Sequence, residues 1–255
     1  MTEFPISHTA DHASCLPLSR ILYEDKQIIC INKPACIPTV PDSSGDLSLL
    51  EMAKAYIKRS ANKPGNVFLA VVHRLDRPVS GIVCFAKRSK AASRLSMQMR
   101  DHQIKKEYIS VVTGCPDKNS GVSRGFISKD RRRNLVKFQT GNAGKAGNGK
   151  EAVTAWEVLE KRDGLCLIRL RPETGRPHQL RVTMAALRCP IIGDLRYGPG
   201  PPLPDRSIAL HAERLLFAHP ITGRRMEIQA PVAEPDGEVT YPWNLFLMSG
   251  QVQPC

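Results

Sequence analysis

The sequence predicts an α+β fold, a mixed and mostly antiparallel sheet flanked by helices. Three observations carry this expectation. Short β-branched and apolar runs follow one another along most of the chain and are joined by turn residues. Three other segments place apolar residues at helical spacing. No repeat divides the chain, and its 255 residues with 42% hydrophobic content are enough to bury a core.

Residues 1–19 read as a poorly ordered N-terminal arm, whose acids and histidines do not resemble a secretory signal. Arg20–Ile31 reads as two short strands around an acidic turn, ended by Asn32-Lys33-Pro34. Leu49, Leu50, Ala53 and Ile57 form one stripe and predict a helix over Leu47–Lys58. The apolar runs Val67–Val72 and Ile82–Ala86 read as core strands, with Asp76 in their connection. Ala91, Leu95 and Met99 predict a second helix after Lys90, basic on its other face. Tyr108–Val112, Ala152–Leu159 and Leu165–Leu170 are strand-like. Pro177 suits a first helical turn, and Leu180, Met184 and Leu187 mark the third helix. Gly141–Lys150 is a glycine-rich hairpin tip. Its G-x-x-x-x-G-K pattern fails as a phosphate loop, because Glu151 replaces the metal-holding Ser/Thr and a strand pattern follows. Residues 20–232 are expected to form the main domain. Residues 233–255 read as a variable tail with Trp243 packed back on it.

The charge narrows the class of partner. Lys and Arg number 37 against 24 acids, a net +13 with a pI near 9.6, which favours a polyanion, nucleic acid first. No apolar run approaches the length of a membrane span, and no basic amphipathic helix with a large apolar face marks a membrane surface. The eight cysteines are scattered, without C-x-x-C or zinc-type spacing. A structural metal is therefore not expected, and the thiols are expected to be free in a reducing cytoplasm.

Three constellations carry chemistry. His73-Arg74-Leu75-Asp76-Arg77-Pro78-Val79-Ser80-Gly81 sets one carboxylate between two arginines, where it stays ionised and can act as nucleophile or base, or form only a structural ion pair. Lys105-Lys106-Glu107-Tyr108 opens a strand with cations beside a tyrosine. Thr174-Gly175-Arg176-Pro177-His178-Gln179-Leu180-Arg181 gathers cations at a helix N-terminus. Because cations there oppose the helix dipole, an anionic partner is called for, and Asp76 is a candidate for it. The run Lys129-Asp130-Arg131-Arg132-Arg133 is either a solvated face or a nucleic-acid contact.

Taken together, these motifs resemble the RluA-type pseudouridine synthases. The likeness runs from about Ile21 to Pro231. Its blocks are Asn32-Lys33-Pro34, the HRLD segment with Ser80-Gly81, Lys106-Glu107-Tyr108, Gly149–Thr154, Glu173–Val182, Pro190–Asp194 with Tyr197-Gly198, and Leu210-His211-Ala212 through His219-Pro220. The resemblance implies an RNA enzyme that isomerises uridine to pseudouridine without metal, nucleotide or energy source. It implies that Asp76 is the essential aspartate, acting at ribose C1′ or by way of a glycal-type intermediate. Tyr108 is implied near the base, Arg181 as the partner of Asp76, Leu180 packed on the flipped uracil, and Arg74 in the gap that the extruded nucleotide leaves. His73, Arg77, Lys106, Arg176, His178 and Gln179 complete the expected RNA-binding set. Reaching a base inside a stacked helix requires flipping, at a cost of a few kcal/mol.

Two positions depart from the family pattern: Cys36 stands where glycine is usual, and Pro78 where acids are common. No S4-type domain is expected before Asn32, so target choice is expected to rest on the catalytic domain. The substrate is expected to be a ribosomal or transfer RNA stem-loop, and the protein a monomer. A non-catalytic RNA-binding protein would lack Asp76, Tyr108 or Arg181, all of which are present. A glycoside hydrolase usually sets two acids about the bond, and no second acid accompanies Asp76 in these motifs.

Overall fold

The structure is a computed structural model that describes residues 16–62, 64–130, 135–141, 149–233 and 236–247. Most of the arm, the arginines of the 129–133 run, the tip of the glycine-rich loop and the end of the tail lie outside those residues.

The elements in chain order are β1 Ile21–Glu24, β2 Ile28–Lys33, α1 Leu49–Ser60, β3 Ala70–Val71, β4 Ser80–Ala86, α2 Ser89–Arg100, β5 Lys105–Thr113, β6 Ser120–Asp130, β7 Leu135–Gln139, β8 Lys150–Arg162, β9 Leu165–Pro172, α3 Gln179–Ala186, β10 Leu210–Ala218 and β11 Arg225–Gln229. The strands form one 11-stranded sheet ordered β1-β2-β4-β10-β5-β9-β8-β6-β7, with β3 paired to β4 and β11 to β10. Among the described residues every pairing is antiparallel except β4 with β10, where Ser80 lies opposite His211 and Gly81 opposite Ala212. The α+β expectation holds.

Burial explains the layering. Alternate residues of β2 enter two different clusters, Ile29 and Ile31 on one face and Ile28 and Cys30 on the other. The first cluster is covered by Leu49, Met52, Ala53 and Ile57 of α1 and by Leu180 and Met184 of α3. The second is covered by Ala91 and Leu95 of α2. Each Leu, Ile or Met among these contributes roughly 1.5–3 kcal/mol through apolar area removed from water, and each Ala less. A capping box starts α1: Ser48 Oγ accepts from Glu51 N–H at 3.3 Å, and Ser48 N–H donates to Glu51 Oε2 at 2.9 Å.

Gly81 has no substitute at the parallel junction. Its φ is +113°, and a Cβ there would come within 3.0 Å of the backbone of Ala212. Beside it, Ser80 Oγ lies 2.8 Å from His211 Nδ1, and His211 Nε2 lies 3.1 Å from the Ala230 carbonyl. The carbonyl requires Nε2 to be the donor, so Nδ1 accepts from the serine. Trp243 packs edge-on against the same ring, its centroid 6.4 Å away, and is itself buried.

Several expectations need correction. The run Val67–Val72 yields a pairing of only two residues, Ala70 and Val71, because the side chain of His73 takes over: its Nε2 accepts from Cys84 N–H at 3.1 Å. Pro177 precedes α3, whose N-cap is His178 in the left-handed region at φ 54°. Strands β6, β7, β10 and β11 were not anticipated, since polar residues dilute or interrupt their apolar pattern. Cys115 and Cys166 are not free thiols but a disulfide, with Cα atoms 5.7 Å apart. They are 51 residues apart in sequence, and it is the pairing of β5 with β9 that brings them together.

Burial holds the pKa of His211 down at about 4, against an ordinary value of 6.5. Between those values the unfolded chain binds the proton and the folded one does not, so stability falls as pH drops from about 6.5 to about 4. Urea unfolding across that window should show this loss, and His211→Gln should flatten the slope. An unchanged slope in the variant would contradict the assignment.

Candidate active site

Asp76 occupies the connection between β3 and β4, and the chain pins it on both sides. Leu75 and Val79 are buried apolar anchors. Thr39 Oγ1 donates to the Leu75 carbonyl at 2.8 Å and accepts from Leu75 N–H at 3.2 Å. The Arg77 carbonyl accepts from Cys36 N–H at 2.8 Å and from Lys33 Nζ at 3.2 Å. Lys33 is fully buried and donates also to the carbonyls of Pro34 at 2.9 Å and Ile37 at 2.8 Å. Burial lowers its pKa to about 7, while three acceptors match the three protons of the ammonium form.

Arg181 of α3 faces this loop. Its Nη1 lies 3.3 Å from Asp76 Oδ2, and its Nε and Nη2 each lie 2.7 Å from an oxygen of Asp194. The Asp194 side chain is 1% exposed and that of Arg181 9%, whereas the Asp76 side chain is 33% exposed. Burial opposes the guanidinium charge, but Asp194 and Asp76 outweigh it and raise the pKa. Among the described residues Asp76 Oδ1 has no hydrogen-bond partner.

Both carboxylate and arginine open on a cleft of about 870 Å³, within the usual range for ligand sites. All eleven residues singled out from the sequence line it. Its cations are Arg74, Arg77, Arg100, Lys106, Arg176 and Arg181, against the acids Asp42, Asp76 and Glu173. This excess attracts a polyanion. Burial, and after it the Asp76 charge, raises the pKa of Tyr108, so the phenol stays protonated at neutral pH. Lys106 is half-buried, its pKa lowered by burial.

The expected residues differ in what remains free. Arg74 is exposed. Arg77 turns its guanidinium to Asp42 at 3.0 Å and to Asp46, clamping the 42–46 loop. The pKa of His73 is held at about 3 by burial, and its Nε2 is taken by Cys84 N–H. Gln179 spends its whole amide internally: Oε1 accepts from Thr174 Oγ1 at 2.8 Å and Arg176 N–H at 3.0 Å, and Nε2 donates to Val153 O and Thr154 Oγ1, each at 3.0 Å. Arg176 donates its Nε to the Glu151 carbonyl at 2.9 Å. His178 directs Nε2 toward Asp76 Oδ2 at 3.7 Å, and Leu180 is a buried wall of the cleft.

Residues 27–186 match the model of the family described as RNA pseudouridylate synthase. The chain belongs to the RNA pseudouridylate synthase family. It is 33% identical over 243 residues to ribosomal large subunit pseudouridine synthase C of Buchnera aphidicola subsp. Acyrthosiphon pisum, covering 91% of this chain and 71% of that one. It is equally identical over 243 residues to ribosomal large subunit pseudouridine synthase D of Vibrio cholerae, covering 89% and 71%. The solved structure of human RNA pseudouridylate synthase domain containing 4 superposes with a TM-score of 0.70 at 25% identity, covering 83% of this chain and 87% of that one. The protein is thus an RNA pseudouridine synthase of the RluA type, and RNA is its substrate.

Three residues of this synthase site were quoted within motifs but given no role from the sequence: Lys33, Asp194 and Tyr197. Lys33 and Asp194 act through buried contacts that no local pattern shows. Tyr197 stacks its ring under Arg181, 5.1 Å from the guanidinium carbon. Removing the Asp194 carboxylate should strand a buried arginine, so Asp194→Ala should cost about 3 kcal/mol of unfolding free energy. A loss below about 1 kcal/mol in urea titration would show that the pair is dispensable.

Proposed function

We propose that this synthase isomerises uridine in a ribosomal RNA stem-loop, with Asp76 as the nucleophile on a nucleotide flipped into the cleft. One observation carries the reading: the Asp76 carboxylate is held by Arg181 through Oδ2 while Oδ1 has no hydrogen-bond partner among the described residues, in a cleft whose charged residues are mostly cations. Arg181 fixes the direction of the carboxylate. Attack by Asp76 at C1′ forms an ester and breaks the bond to N1; after the uracil turns, C5 displaces the carboxylate from C1′, the C5 proton leaves and N1 gains one. Tyr108 and Leu180 enclose the base, and Tyr108 stays protonated as a neutral hydrogen-bond donor. Arg74, exposed at the rim, fills the vacated stack, since a guanidinium is planar and keeps its charge. Lys106 and Arg176 meet phosphates of the target strand.

His73, Arg77 and Gln179 are positioning residues in this reading, because their polar atoms are already engaged. The names of the two bacterial relatives favour ribosomal over transfer RNA. A cytoplasmic location goes with that substrate. The protein works as a monomer, without metal or cofactor.

Tritium release from RNA carrying 5-tritiated uridine tests this directly. Ribosomal and transfer RNA from a modification-deficient strain should be incubated with wild type, Asp76→Ala and Asp76→Asn. Wild type should release tritium from ribosomal RNA and form pseudouridine, and both variants should lose at least about 10³-fold in rate. Equal rates from Asp76→Asn would remove the nucleophile, and release from transfer RNA alone would redirect the substrate.

A further inference from the structure

Tyr197 lies between the helix that carries the arginine and the strand β7. Its hydroxyl accepts from Val136 N–H at 3.4 Å and lies 2.7 Å from His178 Nδ1. The two rings meet edge to face with centroids 5.7 Å apart. On the far side of the imidazole, Nε2 faces Asp76 Oδ2 at 3.7 Å.

These contacts select one protonation pattern. A lone pair on Nε2 facing a carboxylate would be repelled, so the proton belongs on Nε2. Nδ1 is then an acceptor, and the tyrosine hydroxyl must donate to it. That direction is available, because the hydroxyl oxygen already accepts from Val136 N–H. Burial and the neighbouring Arg181 and Arg196 disfavour an imidazolium, against Asp76 and Asp194. The result is a neutral histidine presenting one N–H to the carboxylate.

We propose that Tyr197 and His178 form a positioning relay that restrains Asp76 Oδ2 together with Arg181, so that Oδ1 is the oxygen that meets the ribose. The proposal rests on Asp76 being the nucleophile. The 3.7 Å gap is short of a hydrogen bond, as such contacts often are before substrate binds, and it closes by a small movement of the carboxylate. Arg181 alone grips one oxygen from one direction and leaves rotation about the carboxylate free. A second donor on that oxygen from α3's N-cap removes the rotation. The left-handed backbone of His178, at φ 54°, is what turns its ring from the helix toward the loop.

Tyr197→Phe and His178→Asn are the test, alone and combined, in single-turnover tritium release over a range of RNA concentrations. Phenylalanine keeps the ring under Arg181 and deletes only the hydroxyl. Asparagine tolerates the left-handed backbone and is too short to reach Asp76. Each single variant should lower the maximal rate about tenfold with half-saturating RNA within about twofold, and the double variant should lose no more than either single. Melting temperatures report whether each variant is folded, and His178→Asn carries the test if Tyr197→Phe is not. Wild-type rates, losses that multiply, or losses confined to RNA affinity would each overturn the relay. Asp76→Asn measured alongside separates the two levels: a wild-type rate in that variant refutes the nucleophile, whereas a wild-type rate in Tyr197→Phe with Asp76→Asn inactive refutes only the relay.

Discussion

One guanidinium holds this site together. Arg181 is nearly buried, and burying a charge is costly unless it is paired and hydrogen-bonded. Asp194, more deeply buried still, supplies two bonds in a parallel fork, and the remaining nitrogen reaches Asp76 at the edge of solvent. The structural pair and the functional pair therefore share a residue. Asp194 fixes where the guanidinium sits, and the guanidinium fixes where the exposed carboxylate points.

The sheet supplies the other half of the arrangement. Asp76 leads into β4 where that strand runs parallel to β10, and there Gly81 lets two backbones approach and Ser80 joins His211. Arg181 comes from the other side, on a helix anchored to β8 through Gln179. Asp76 and Arg181, 105 residues apart in sequence, are thus aimed at one point by the backbone elements that carry them. The Lys33 ammonium reinforces this by tying the turn after β2 to the carbonyl of Arg77, next to the carboxylate.

Much of this was legible because the chemistry lies in short contiguous blocks. The mismatch of cations at a helix N-terminus called for an anion, and Asp76 is the anion found 3.3 Å from Arg181. Helices α1, α2 and α3 and strands β1, β2, β4, β5, β8 and β9 followed from their apolar spacing. What escaped depended on long-range pairing. β6 pairs Gly121, Ser123 and Arg124 with β8, so its pattern is too polar to read alone. Arg77 and Gln179 looked available for RNA, yet partners such as Asp42 and Thr154 occupy them. The cysteine pair likewise exists only through the β5–β9 register.

The sharing of Arg181 is the claim on which the rest stands, and Arg181→Lys tests it most directly. Lysine keeps the positive charge but, as a point donor, cannot grip Asp194 and reach Asp76 together. Single-turnover tritium release should fall at least about 10²-fold in this variant while RNA binding stays near wild type. A lysine enzyme that isomerises uridine at the wild-type rate would contradict the account.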